Sequence, residues 1–196
     1  KGIVELAQAW CDLRDEFPDL HLLMAGPIEP EDPLPTEVEE LLRRDQRVHL
    51  IGEEWDTPPL YAAMDVFVLP TYREGLPIVL LEAAAMNLPV VATRVSGCVD
   101  VVEDGMTGTL VPPFDSPKLA GAIRSYLKYP QLRRQHGSAA REHVIREFNQ
   151  ENIWLAMYQE YAGCLSRKEL APPVSEPAPG IPPSGLAGLP AGKAGR

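Results

Sequence analysis

DVFVLPTYREGLPIVLLEAAAMNLPVVAT, residues 65–93, is the stretch that decides the fold. Asp65–Pro70 is a short, nearly continuous apolar run, the composition of a strand in a sheet covered on both faces. Polar residues and Gly75 then break the run. Pro77 suits the first turn of a helix, where its missing N–H costs little. The segment that follows, IVLLEAAAM, is helix-like, and its only charge is Glu82. Pro89–Thr93 is again strand-like. Strand, short loop with Glu74, helix with Glu82, strand: this is the repeating unit of a parallel sheet covered by helices.

Glu82 needs a physical account. Burying an ionised carboxylate without a partner is costly, so Glu82 faces either water or hydrogen-bond donors. Ligands of open parallel sheets bind beyond the carboxyl ends of the strands, where Glu74 lies and where the helix from Pro77 begins. Free N–H groups at such a helix start favour a phosphate. Two carboxylates would repel that phosphate and instead suit its neutral attachments, because a carboxylate accepts from two vicinal hydroxyls. Five residues of helix, Pro77 to Glu82, span ~7.5 Å, about the reach from a diphosphate to its ribose. A nucleoside diphosphate bearing a sugar uses all three elements.

Outward from this stretch the alternation continues. Ile3–Phe17 has apolar residues at helical spacing, and Leu20–Ala25 reads as a strand buried on both faces, ending at Gly26. Thr36–Arg44 reads as a helix with a capping box from Thr36 and Glu39. Arg47–Ile51 reads as a strand ending at Gly52, Pro58–Met64 as a short helix, and Thr109–Val111 as an edge strand. Asp115 or Ser116 caps a helix to about Tyr129; further helices cover about Gln131–Phe148 and Glu151–Leu165. His21, His49, His136 and His143 are scattered, without a Ser or Cys placed beside them as a nucleophile pair. From Ser166 onward Pro, Gly, Ala and Ser dominate, which predicts a disordered tail. Its GLPAGKAGR is not a phosphate loop: position 187 is Ala, Ala194 replaces Ser/Thr, and no strand precedes it.

The chain has 196 residues and a formal net charge of -10. That length holds a real core, and that charge argues against nucleic acid or anionic lipid as partners. Cys11, Cys98 and Cys164 are far apart and without zinc-site spacing, which points to a reduced, cytoplasmic setting. An opening at Lys1-Gly2 without Met suggests a fragment.

EGLPIVLLE, in which seven residues separate Glu74 from Glu82, resembles the E-x7-E element of glycosyltransferase family 4. The flanks DVFVLPTYR, AAAMNLPVVATRVSG and DGMTGTLVPPFD resemble the donor-binding domain of that family, over Lys1 to about Tyr161. Its members are retaining enzymes of the two-domain GT-B fold, grouped as glycosyl transferases group 1. The resemblance implies that Glu74 binds hydroxyls of the transferred sugar and that Glu82 holds the ribose. The backbone of Gly75, Leu76, Pro77 and Ile78 would lie by the diphosphate and sugar. Lys1 matches the lysine that neutralises the departing diphosphate; the arginine upstream of it, and the strand that carries it, are absent. Gly26 matches the glycine whose backbone passes the nucleotide, and Gly52 and Glu53 match the loop that borders the base. Ser96-Gly97-Cys98 and Asp100 depart from the Gly-Gly and Glu of many relatives, a variant that points to bacterial polysaccharide or glycan assembly.

The expectation is therefore an α/β, Rossmann-like parallel sheet with helices on both faces, the C-terminal half of a GT-B glycosyltransferase. The donor-binding domain covers residues 1–165, without its first strand, and the tail covers 166–196. Nucleotide sugar is the implied donor and a lipid-linked or saccharide acceptor the implied second substrate. No metal, cofactor or nucleic acid is implied. The acceptor domain lies N-terminal to this chain, which is expected in the cytoplasm or at the inner face of the membrane and inactive alone. Two other readings share the fold: a nucleotide-binding remnant of a truncated gene, and a sugar-nucleotide epimerase.

Overall fold

The computed structural model describes residues 1–27 and 33–167. Two compact units divide the chain, Lys1–Asn149 and Gln150–Arg196. The second unit is described over helix α8 (Gln150–Arg167), where Trp154, Met157, Tyr161 and Leu165 are exposed. The expected tail and its rejected phosphate-loop look-alike lie, from residue 168 on, outside the described residues.

In the first unit β1 (Leu22–Ala25) pairs in parallel with β2 (Val48–Gly52), in the register Leu22 to Val48 and Ala25 to Gly52. A second sheet holds β3 (Phe67–Leu69), β4 (Val90–Thr93) and β5 (Gly108–Val111), all parallel, in that spatial order. The parallel arrangement and the edge position of β5 follow the sequence reading. Central β4 is buried along its whole length, as its unbroken PVVAT run requires.

Strand alternation divides the core around β4 in two. Val91 packs with Leu6, Ala9 and Leu13 of α1 (Ile3–Arg14) and with Leu119, Ile123 and Tyr126 of α6 (Ser116–Lys128). Val90 and Ala92 point the other way. They pack with Leu80 and Ala83 of α4 (Ile78–Ala85) and with Cys98 and Val101 of α5 (Cys98–Val101). Burying such side chains contributes ~1.5–3 kcal/mol each.

Three expectations need correction. The capping box does not form. Helix α2 (Thr36–Arg44) has Pro35 as its N-cap, with no side-chain cap, because Thr36 is already helical. The Glu39 carboxylate instead pairs with Arg43, one turn on, at 2.8 Å. Strand β1 is half-buried with Ala25 exposed, where burial on both faces was expected. Its side away from β2 lines a cavity. Helix α5 was not foreseen, since four residues carry no readable period. Elsewhere the ends move by a few residues: β3 begins at Phe67 and α3 (Pro58–Ala62) ends at Ala62. The Asp115 cap is present, its Oδ1 accepting from the Lys118 amide at 2.9 Å.

Candidate donor-binding site

The loop from Pro70 to Pro77 leaves the carboxyl end of β3 and is fixed from several sides. The Thr93 hydroxyl at the end of β4 donates to the Thr71 carbonyl. The Tyr72 hydroxyl donates to Glu5 of α1 at 2.6 Å, and its ring stacks on Phe114 with centroids 4.1 Å apart. Gly97, just before α5, has φ +77 and lies so close that an added Cβ would come within 2.1 Å of the Gly75 carbonyl oxygen. Gly2, with φ +66, lies equally tightly against the Pro70 carbonyl. This clamping holds Glu74 half-buried and leaves Gly75, Leu76 and Ile78 exposed at the mouth. Pro77 is the N-cap of α4 and is buried. The helix therefore starts just after Glu74 in the chain, beyond the carboxyl end of β3.

Glu82 lies on the second turn of α4 and is half-buried. It has a protein partner that the sequence reading missed. The hydroxyl of Tyr61, on α3, donates to Glu82 Oε2 at 2.7 Å. Tyr61 is only 6 % exposed, and its ring packs against Phe67 at 5.6 Å between centroids. Burial, and then the hydrogen bond and charge of Glu82, push the phenol pKa upward, so it stays a donor. In the sequence Tyr61 sits in the apolar run PPLYAAM and reads as core. Only three-dimensional pairing of α3 with α4 reveals its polar end.

The glycines come together at the other sheet. Gly26 follows β1 and donates its amide to the Gly52 carbonyl, at the end of β2, at 2.7 Å. Both have positive φ, +116 and +77. Lys1, Gly26, Glu53 and Glu74 all line one cavity of about 950 Å³, which Tyr61 also borders. Gly52, Glu82 and the 75–78 backbone lie outside that lining. The predicted residues thus form two groups, one at the carboxyl ends of β1 and β2 and one beyond β3, with Lys1 next to Gly2 on Pro70.

The arrangement suits binding more than covalent chemistry. Cys98, the cysteine electrostatically closest to the loop, is fully buried. Burial, and then the charge of Glu74, push its thiol pKa up to about 11, so it is no nucleophile at neutral pH. His136 is buried against Tyr126 and His143 faces Glu103 at 3.4 Å, both on α7 (Pro130–Glu147). His21 and His49 stack on each other with ring centroids 5.1 Å apart, exposed. Among the described residues no cluster of three or more His, Cys, Asp or Glu could hold a metal ion. No described helix is long and apolar enough to cross a membrane.

Comparison with known proteins gives the family. Residues 1–129 match the family model described as glycosyl transferases group 1. The chain is 32% identical over 169 residues to the capsular polysaccharide biosynthesis glycosyltransferase CapM of Staphylococcus aureus, covering 86% of this chain and 44% of that protein. The chain thus spans less than half the length of that relative. Among solved structures it resembles the C-terminal domain of a glycosyl transferase group 1 family protein (LpcC) of Francisella tularensis. The TM-score is 0.70 at 25% identity, over 76% of this chain and 80% of that one. It also resembles Anabaena Alr3699/HepE in complex with UDP-glucose, with TM-score 0.68 and 26% identity over 85% of this chain and 45% of that one. A parallel Rossmann-like sheet, a clamped Glu74 loop leading into α4 and a family match over residues 1–129 converge: the chain belongs to the glycosyl transferases group 1, as the C-terminal domain of a GT-B glycosyltransferase.

Proposed function

We propose that this chain is the donor-binding half of a retaining glycosyltransferase that uses a nucleoside-diphosphate sugar. The observation that carries the reading is the pairing of two carboxylates with one helix start. Glu74 lies in the clamped loop that leads into α4, and Glu82 is held by Tyr61 on the second turn of that helix. Amides suit the diphosphate, Glu74 the sugar hydroxyls and Glu82 the ribose diol. Gly26, Gly52 and Glu53 border the nucleoside. The bound UDP-glucose of the Anabaena protein supports a nucleotide-sugar donor.

In the transfer, the bond from the anomeric carbon to the diphosphate oxygen breaks, a bond to an acceptor hydroxyl oxygen forms on the same face of the sugar, and the hydroxyl proton passes to the leaving diphosphate. Negative charge grows on the leaving diphosphate, and in this reading the α4 amides and the Lys1 ammonium stabilise it. No metal takes part in this scheme. The acceptor, lipid-linked or saccharide, binds an N-terminal domain preceding Lys1, through which the enzyme meets the inner face of the membrane. The capsular function of the S. aureus relative supports a role in bacterial polysaccharide assembly.

Calorimetry of UDP, GDP and ADP on the 196-residue chain tests the proposal. At least one is expected to bind, and Glu82→Ala to weaken it about tenfold or more, the loss of hydrogen bonds to a charged group. Absence of binding, or binding indifferent to Glu82→Ala, overturns the donor assignment. Turnover of any sugar nucleotide by this chain alone would overturn the placing of the acceptor site on another domain.

A further inference from the structure

We infer that Tyr61 is a positioning residue for the nucleotide: it holds the Glu82 carboxylate in the orientation that accepts from a vicinal diol. The inference rests on the role of Glu82 proposed above. A glutamate on a helix of Leu and Ala neighbours has three side-chain torsions and nothing polar on its own helix face to fix them. The Tyr61 hydroxyl fixes them from outside α4, at 2.7 Å from Oε2. Its only other acceptor among the described contacts, the Val79 carbonyl, is 3.5 Å away, so the single phenol proton belongs to Glu82.

The stoichiometry leaves room for a ligand. An ionised carboxylate offers about four lone-pair sites, and Tyr61 occupies one of them. Both oxygens can therefore still accept, one hydroxyl each, with the carboxylate plane already set. The phenol is itself rigid. It is buried, packs on Phe67 and springs from α3, which is tied to the protein by its own turns. Positioning of this kind reduces the entropy lost when the diol binds. Tyr61 touches no nucleotide atom in this scheme; it acts through Glu82.

Discrimination between ribose and deoxyribose reads this role directly. The probes are UDP, GDP and ADP with their 2′-deoxy and 3′-deoxy counterparts, titrated into the 196-residue chain. The wild type should favour the ribose form about tenfold or more, because each lost hydroxyl removes a hydrogen bond to a charged group. Tyr61→Phe keeps the ring on Phe67 and should bind the ribose form about five- to tenfold more weakly, with the ratio to the deoxy forms falling below about threefold. A merely structural tyrosine would lower the melting temperature and leave the ratio where it was; that result overturns the inference. Glu82→Ala separates the two levels. If it collapses the ratio and Tyr61→Phe does not, only the role of Tyr61 is lost. If Glu82→Ala leaves the ratio intact, or no nucleotide binds, the ribose assignment fails and this inference with it.

Discussion

Gly97 shows how a residue with no chemistry of its own shapes the site. Its φ of +77 is a conformation that L side chains rarely adopt, and an added Cβ would meet the Gly75 carbonyl oxygen at 2.1 Å and the Glu74 carbonyl oxygen at 3.0 Å. Left-handed geometry alone costs an alanine ~1–2 kcal/mol, and the contact forces the 74–75 peptide to move. Gly97→Ala is expected to weaken nucleoside diphosphate binding about tenfold or more, since displacement by an ångström is enough to spoil such a site. Gly121→Ala on α6, outside the site, where an added Cβ meets nothing within 4 Å, is the control and should leave both fold and binding intact. Equal effects of the two on melting temperature and affinity would show that the clamp is unimportant. The sequence showed Gly97 only as part of a variant Ser-Gly-Cys. Glu74 and Glu82 were legible because a charge in an apolar run demands a reason, whereas a glycine's tight contact and the polar end of Tyr61 exist only after distant segments meet.

Among the elements, the junction of α6, α7 and β5 carries a titratable switch on stability. The Tyr126 hydroxyl bridges Thr109 Oγ1 at 3.0 Å and His136 Nδ1 at 2.8 Å, inside the core. Burial lowers the pKa of His136 below its ordinary 6.5. The unfolded chain therefore takes up this proton more readily than the folded one. The sign follows: the contribution to stability is complete above about pH 6.5 and is lost as pH falls through that value towards the lower folded pKa. Urea unfolding midpoints from pH 7.5 to 5.5 should fall, and His136→Gln should flatten that slope. An unchanged slope in the variant would overturn the role of His136 in the acid sensitivity. Elements were the most readable level. Continuous apolar strands and 3.6-residue periods were correct in kind, because burial on both faces of a sheet writes them into the sequence. The capping box failed for a local reason: the amides of Val38 and Glu39 are already satisfied by the Pro35 carbonyl at 2.9 and 3.0 Å.

For the whole molecule, the consequential feature is the division into a pair and a triplet of strands. Among the described residues, β1 and β3 each have one edge without a strand partner, and both edges face one cavity. All residues of β1 and β3 line it, while β2 contributes only His49 and β4 and β5 nothing. Helix α1 roofs it with Ile3, Leu6, Trp10 and Leu13. Unpaired backbone groups beside apolar walls are unfavourable, and edges of this kind are templates for another strand. Gly2 lies against Pro70, next to the carboxyl end of β3, so a segment joined ahead of Lys1 would start beside that strand. We expect a six-residue, β-branched segment joined ahead of Lys1 to raise the urea midpoint. Amide exchange in Leu22–Ala25 and Phe67–Leu69 should slow about tenfold or more, as for strands moved from an edge to the interior. The same segment with a central proline cannot complete the ladder and should give neither effect. If both extensions act alike, or if exchange slows only in β4 and β5, the cavity does not receive a strand. The two sheets then belong together only through α1 and the helices that share its core.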